Sequence, residues 1–231
     1  MPYLGYNGIL RVLLYSIEYL NIILSDITIT VSKSMKKKLD LIKPNTYLIH
    51  NGSACGLDLN KKIIQTKVKK QKEIVVTYIG RLKTRKGIIV LKQILDFFDA
   101  NQYVKFIFCG FTNEDFEKVT KRKYKNLQCL GFIDNVDKVL KNSDIFIMPS
   151  LHEGLSYSIL EAMLYKNLIL ANNIPGITDL IINNYNGFLI NNNDSKKYIH
   201  LINDFLNNKI NIKNLIKNSS KIIKKYDRID F

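Results

Sequence analysis

Glu153 and Glu161 stand eight positions apart in the run Pro149-Ser-Leu-His-Glu-Gly-Leu-Ser-Tyr-Ser-Ile-Leu-Glu-Ala-Met163. The apolar stretch 144–149 before them has the length and composition of a buried strand, and 159–165 after them has the pattern of a helix. The first carboxylate therefore belongs to a strand-to-helix turn and the second to the helix itself. The turn carries Gly154, Leu155 and Ser156, and backbone N–H groups at a helix start favour an anion such as phosphate. Carboxylates beside a phosphate repel it unless each accepts hydrogen bonds from neutral hydroxyls. A nucleotide sugar, with hydroxyls at both ends of a diphosphate, meets that requirement and is the leading ligand.

A second set of residues points the same way. Gly80-Arg81-Leu-Lys-Thr-Arg-Lys86-Gly87 follows the apolar run 74–79 and sets cations on a flexible backbone. Arg81 can clamp a diphosphate through its planar fork and Lys86 as a point charge. Taken alone, this segment reads as a solvated basic loop. It does not fit the GxxxxGK[ST] phosphate loop, which disfavours ATP or GTP hydrolysis, and the glycine-rich dinucleotide fingerprint is absent. The two glutamates also have a plain reading, one as an electrostatic helix cap and the other as a surface residue. His152 reads as a packed or solvent-facing residue, since no Ser, His and Asp order supports a hydrolytic triad. His50 and His200 offer no metal spacing with it, so neither metal nor cofactor is expected. Gly176 either reverses the chain or lets backbone approach a ligand beneath the preceding loop.

These residues need a scaffold, and the surrounding pattern supplies one. Apolar runs at 74–79, 105–109, 127–130, 145–148, 168–171 and 188–190 alternate with helical patterns at 87–98, 113–124, 136–141, 156–165 and 177–182. Continuous apolar strands alternating with helices predict an α/β, Rossmann-like doubly wound parallel sheet covered on both faces. Ligands of such sheets collect at the carboxyl ends of the strands, where the Gly80 and Gly154 turns fall. Upstream, the pattern predicts a helix over 9–24, a strand over 27–31, a helix over 32–39 capped by Ser32, and a strand over 47–50. A glycine-containing loop, 51–58, follows, and the basic stretch 61–72 reads as a linker. The expected organisation is 1–60, 61–72, a ligand-binding domain over 73–194, and helices with basic faces over 195–231.

With 46% hydrophobic and 24% charged residues, the 231-residue chain is globular in composition. Its net charge of +15 suits phosphorylated ligands, an anionic membrane surface or nucleic acid. The abundance of Lys, Ile and Asn has the look of AT-rich coding, which makes the charge weak evidence. Cys55, Cys109 and Cys129 show no CxxC spacing, and a reducing cytoplasm fits. The first residues lack the features of a secretory signal, and 9–24, interrupted by Arg11 and Glu18, reads as an amphipathic helix too short to span a bilayer.

Gly80-Arg81-Leu82, Lys86-Gly87, Gly131-Phe-Ile, Ser143-Asp144-Ile-Phe-Ile-Met-Pro149-Ser150, Glu153-Gly154-Leu155, Glu161-Ala162 and Asn186-Gly187-Phe-Leu occur in one order. As a set they resemble the carboxyl-terminal domain of the retaining GT-B glycosyltransferases of family four. The resemblance covers 74–194. Upstream, Asn51-Gly52-Ser53 and Gly56-Leu57-Asp58 resemble the linker of members that build capsules, O-antigens or lipid-linked glycans, with Cys55 where that pattern usually has Asn. The resemblance implies that Arg81 and Lys86 hold the donor diphosphate, Glu153 meets sugar hydroxyls, backbone at Gly154, Leu155 and Ser156 meets phosphate, and Glu161 holds the ribose. It also implies sugar transfer with retention and without a bound metal.

Full-length members carry two Rossmann-like domains, and 1–60 is expected to be the last portion of the amino-terminal, acceptor-side one. The expected function is glycosyl transfer from a nucleotide sugar to a cell-surface polysaccharide or lipid-linked glycan, in the cytoplasm and peripherally at the membrane. A separate chain is the expected source of the remaining half. The alternatives are a non-catalytic remnant that at most binds nucleotide sugar and a basic nucleic-acid-binding protein. No nucleic-acid partner is expected, because the cations are dispersed and no RNA-binding aromatic motif occurs.

Overall fold

A computed structural model describes residues 8–49, 56–59 and 73–227. The first of these segments contains α1 (Gly8–Leu24), β1 (Ile29–Thr30), α2 (Lys33–Leu39) and β2 (Tyr47–Leu48). β1 and β2 pair in parallel, and the Ser32 hydroxyl caps α2 by accepting from the Met35 N–H at 3.1 Å, as its sequence position predicts. The linker 61–72 and most of the 51–58 loop lie outside the described residues.

From residue 73 the chain builds β3 (Ile74–Ile79), α3 (Ile88–Phe98), β4 (Val104–Cys109), α4 (Asn113–Thr120), β5 (Leu127–Cys129), α5 (Asp137–Asn142), β6 (Ile145–Met148), α6 (Tyr157–Leu164), β7 (Leu168–Asn172) and β8 (Phe188–Ile190). All six strands run parallel in the order β5-β4-β3-β6-β7-β8. Side chains alternate across the pleat. Ile145 and Ile147 enter a core under α3 with Val76, Phe106 and Leu91, whereas Phe146 and Met148 enter a second core under α6 with Ile159 and Met163. Because both alternating sets are buried, β6 and the first four residues of β7 are apolar throughout. Buried Asp144 fixes the strand register at the sheet's lower edge: its carboxylate accepts from the Val75 N–H at 2.8 Å and its carbonyl from the Leu168 N–H at 2.9 Å.

Two helices follow, α7 (Ser195–Leu206) and α8 (Ile212–Ile223). Tyr198, Leu201 and Ile202 of α7 are buried in the α3-side core, and Ile223 of α8 in the α6-side core. The chain then returns to the amino-terminal segment, where the Leu57 N–H donates to the Tyr226 carbonyl at 2.6 Å.

Two expected helices differ. The one predicted over 113–124 stops at Thr120, because Lys121 adopts a left-handed φ of 56° and the Thr120 hydroxyl donates to the Phe116 and Arg122 carbonyls. The one predicted over 177–182 is a pair of turns, closed by Ile177 and Thr178 N–H groups donating to the Ile174 carbonyl. Its apolar spacing is satisfied all the same, since Ile177, Leu180 and Ile181 are buried.

α1 forms over the expected residues but buries none of them: Leu14, Tyr15 and Ile22 are half-buried, whereas Ile9, Val12, Leu13, Ile17, Leu20 and Leu24 are exposed, Ile9 by 89% and Leu24 by 77%. Among the described residues, no helix is long and apolar enough to cross a membrane.

Candidate active site

The strand order reverses between β3 and β6, which pair side by side although α3, β4, α4, β5 and α5 separate them in the chain. A crevice at the carboxyl ends of two such strands is where open α/β sheets bind ligands. The loops leaving β3 and β6 are the two that carry the candidate residues.

They touch closely. Leu151 N–H donates to the Arg85 carbonyl at 2.8 Å. Gly87 has φ 81°, and a Cβ there would stand 2.1 Å from the Pro149 carbonyl oxygen. Only glycine allows this approach. The consequence is an ion pair: Lys86 Nζ lies 2.6 Å from Glu153 Oε1, with the side chains 17% and 12% exposed. At that burial a charge-assisted hydrogen bond counts for more than a surface pair.

The Glu153 turn is held from beneath. Buried Asn172, at the end of β7, donates its side-chain amide to the Pro149 and Ser150 carbonyls at 3.0 and 3.1 Å, and the Tyr198 hydroxyl donates to Asn172 Oδ1 at 3.0 Å. It is also held from the side. Gly176, at φ 86°, packs so tightly that a Cβ would lie 1.9 Å from the Gly154 carbonyl oxygen and 2.8 Å from that of Glu153. The Gly176 N–H donates to the Ser34 hydroxyl at 2.9 Å, and the Ser34 N–H reaches both Asp179 carboxylate oxygens at 3.2 Å. The amino-terminal segment is thereby tied to the loop that buttresses Glu153.

Other candidates surround the pair. Gly80 gives way to the Tyr78 ring, whose hydroxyl would be 2.4 Å from a Cβ at that position and donates to the Arg81 carbonyl at 3.3 Å. Burial and the Glu153 charge hold the Tyr78 hydroxyl well above the ordinary phenol range, so it stays neutral. Arg81 itself is exposed on the loop. Leu155 is half-buried in the turn, and buried Ser156 precedes α6 without capping it, its hydroxyl pairing instead with that of Ser158 at 3.2 Å. Glu161 is half-buried on α6, between buried Leu160 and Ala162. The structure thus joins Lys86 to Glu153 directly and sets Gly80, Arg81 and the 154–156 turn at the same strand ends, while Glu161 stands further along α6. His152 is half-buried beside Glu153, and burial, reinforced by the Arg85 charge, lowers its proton affinity. Among the described residues, no group of three or more His, Cys, Asp or Glu side chains gathers as a metal site.

Sequence reasoning missed Asn172, Tyr198, Ser34 and Asp179. An asparagine closing the apolar run 168–171 was the available signal for the first. The others act across more than twenty residues of chain, which no local pattern shows.

A cleft of about 920 Å³ opens beside Glu153. Leu151, His152, Glu153 and the 173–175 loop form one wall, and α1 and α2 form the other.

Comparison with known proteins places this geometry. A family model described as glycosyl transferases group 1 matches residues 60–222. An Escherichia coli UDP-Gal:alpha-D-GlcNAc-diphosphoundecaprenol alpha-1,3-galactosyltransferase is 30% identical over 190 residues, 74% of this chain and 47% of its own length. The Staphylococcus aureus capsular polysaccharide biosynthesis glycosyltransferase CapM is 23% identical, over 87% of this chain and 57% of its own. The fold matches Anabaena HepE, crystallised with UDP and glucose, at a TM-score of 0.74 and 21% identity, covering 91% of this chain and 62% of that one. The chain spans about half the length of these curated relatives. It has the parallel α/β architecture of GT-B glycosyltransferases and belongs to the glycosyl transferases group 1 family.

Proposed function

We propose that this chain transfers a sugar from a nucleotide-sugar donor, with retention, to a cell-surface polysaccharide or lipid-linked glycan. The observation that carries the reading is the Lys86–Glu153 pair at the point where the strand order reverses. Arg81 and Lys86 bind the donor diphosphate and neutralise the charge that builds on it as the sugar departs. Glu153, oriented by Lys86, accepts hydrogen bonds from sugar hydroxyls and positions the ring. The N–H groups of Gly154, Leu155 and Ser156 take phosphate oxygens, and Glu161 holds the ribose. Charge compensation comes from the two cations, and the reading calls for no metal. Retention is taken from the resemblance of the ordered motifs to the retaining GT-B enzymes.

The acceptor class is supported by the E. coli relative, whose name specifies a diphosphoundecaprenol-linked sugar. Turnover in this reading needs a second α/β half beside the described one. The exposed α1 and the two-stranded parallel pair support it, because a parallel pair so small is not independently stable. The same exposure favours a second reading, a subunit that binds nucleotide sugar without transferring it. Peripheral membrane association, through the Lys36, Lys37 and Lys38 face of α2 and the basic face of α8, belongs to the first reading, and anionic-vesicle flotation checks it.

Nucleoside diphosphate at millimolar concentration is expected to raise the melting temperature, and Glu161→Ala to reduce that protection. No shift with any nucleoside diphosphate removes the donor-binding claim. Labelled donor incubated with membrane acceptors then separates the readings: transfer by the chain alone defeats the binding-only one.

A further inference from the structure

The edge strand β8 borders a second concave surface. A cavity of about 600 Å³ lies between the 184–188 turn that enters β8, one side of α7 and the first turns of α8. Phe188 opens β8 at its amino end, whereas Glu153 follows the carboxyl end of β6, and all strands of the sheet run parallel. The turn therefore stands at the sheet edge opposite to the Glu153 crevice. No residue of the Glu153 site lines this cavity.

Its walls are set without a ligand. Buried Asn186 holds the turn closed, its side chain accepting from the Ile182 N–H at 2.7 Å and donating to the Leu180 carbonyl at 2.9 Å. α8 clasps the turn from outside: the Asn218 amide donates to the Tyr185 carbonyl and the Ser219 hydroxyl to the Asn186 carbonyl, each at 2.9 Å. Buried Leu201 of α7 and Leu215 of α8 close the base. A ligand meeting such walls has little ordering cost to overcome.

The cavity presents three chemistries. Asn184, Asn211 and Asn214 are exposed along it, and Asn211 precedes α8 without capping it, which leaves the amide to the cavity. An amide offers a donor and an acceptor together, matching a hydroxyl, which is also both. Tyr185, 40% exposed, and half-buried Phe188 supply ring surface for the C–H face of a sugar. Lys197 and Lys209 bring two ammonium groups against one carboxylate, Asp204, which His200 engages at 3.2 Å. The local balance is positive.

Inorganic phosphate uses the ammonium groups alone, and a neutral glycan leaves them unpaired. A nucleic-acid strand needs a track of cations along its backbone, where this cavity has two, set around Asp204. An acidic oligosaccharide uses amide, ring and ammonium at once. We propose that this cavity is a second binding site, for an acidic glycan chain, with sugar hydroxyls on Asn184, Asn211 and Asn214, a ring face against Tyr185, and an anionic group between Lys197 and Lys209. The site stands on its own observations, whether or not Glu153 serves sugar transfer.

The test titrates the full chain with tetragalacturonate, maltotetraose, inorganic phosphate and tetrathymidylate, each with and without saturating UDP. Tetragalacturonate is expected to bind about tenfold or more tightly than the other three and equally well with UDP present. Two double variants, Tyr185→Ser with Asn214→Leu and Lys197→Glu with Lys209→Glu, change exposed side chains only. Each is expected to weaken tetragalacturonate about tenfold or more, with UDP affinity and melting temperature unchanged. The charge-reversed pair is further expected to leave maltotetraose binding as it was. Equal binding of maltotetraose or phosphate, preference for tetrathymidylate, competition with UDP, or indifference to either double variant overturns the proposal. Absence of UDP binding with tetragalacturonate binding intact removes the donor reading of the Glu153 site and supports this one.

Discussion

At the scale of single residues, the site is a set of charges whose neighbours set their energies. Lys86→Met strands Glu153 in a largely buried position, and breaking a buried pair from one side costs about 3–5 kcal/mol. With each partner still partly exposed, we expect about 2 kcal/mol, read as a lowered urea midpoint. The double variant Lys86→Met with Glu153→Gln is expected to lose less than the sum of the singles, because the two share one interaction. His152 gives a pH signature. Its unfolded form titrates near 6.5, while burial keeps the folded form neutral further into acid. Below about pH 6.5 the unfolded chain therefore binds a proton that the folded chain does not, and stability falls as the pH drops. His152→Gln is expected to flatten that acid slope and to leave stability at pH 8 unchanged. Equal slopes in variant and parent would show that another group governs it. The thiols of buried Cys109 and half-buried Cys129 shift in the opposite sense: desolvation pushes Cys109 up to about 11 and Cys129 up to about 12, so neither is a nucleophile at neutral pH.

At the scale of elements, glycines in left-handed backbone separate two kinds of cost. Gly131 has φ 70° with nothing nearer than 3.9 Å to the place a Cβ would take, whereas Gly176 at φ 86° faces the Gly154 carbonyl at 1.9 Å. Gly131→Ala is expected to cost about 1 kcal/mol, for backbone strain alone. Gly176→Ala is expected to cost over about 2 kcal/mol and also to weaken nucleoside diphosphate binding, because the Glu153 turn must move. Similar melting losses for both would mean that the 176 loop does not brace the turn. Asn172→Ala takes the amide donor from the Pro149 and Ser150 carbonyls and leaves the Tyr198 hydroxyl only the Met148 carbonyl at 3.3 Å, at about 2–3 kcal/mol. β6 and β7 are legible in the sequence because both faces of each are buried, which makes 145–148 and 168–171 apolar without interruption. The Glu153 turn is legible because its chemistry is local. The stop at Lys121 is not, since a lysine in left-handed backbone carries no compositional mark. The 177–182 turns pass for a helix because buried positions three and four apart look helical whether or not the backbone continues to wind. The bracing by Asn172 and Tyr198 joins β6, β7 and α7, a relation that exists only after folding.

At the scale of the whole molecule, the described amino-terminal segment meets the sheet domain through Ser34, which bonds Gly176 and Asp179, and across the cleft beside Glu153. Asp179→Asn keeps the shape of the side chain but removes the charge that receives the Ser34 N–H at the start of α2. It is expected to loosen α2 while the 73–227 unit melts normally, and hydrogen exchange confined to 30–40 is the measurement that checks it. The apolar face of α1 has an outcome of its own. A helix with Leu13, Ile17, Leu20 and Leu24 exposed drives association, so sedimentation is expected to show growth in mass with concentration, and Leu13→Lys with Ile17→Lys to suppress it. A monomer at every concentration would show that α1 is covered from within the chain.

The loop over 173–176 has one further consequence. Ile174 and Pro175 face the cleft while Gly176, one peptide on, rests against the carbonyl of Gly154. Whatever fills the cleft therefore leans on the backbone that shapes the donor side, and a rigid three-residue lever leaves little slack between them. A ligand in the cleft and one on the Lys86 side of the turn are expected to bind non-independently, each changing the other's affinity by the same factor. The turn would then meet the later ligand in the shape set by the earlier one.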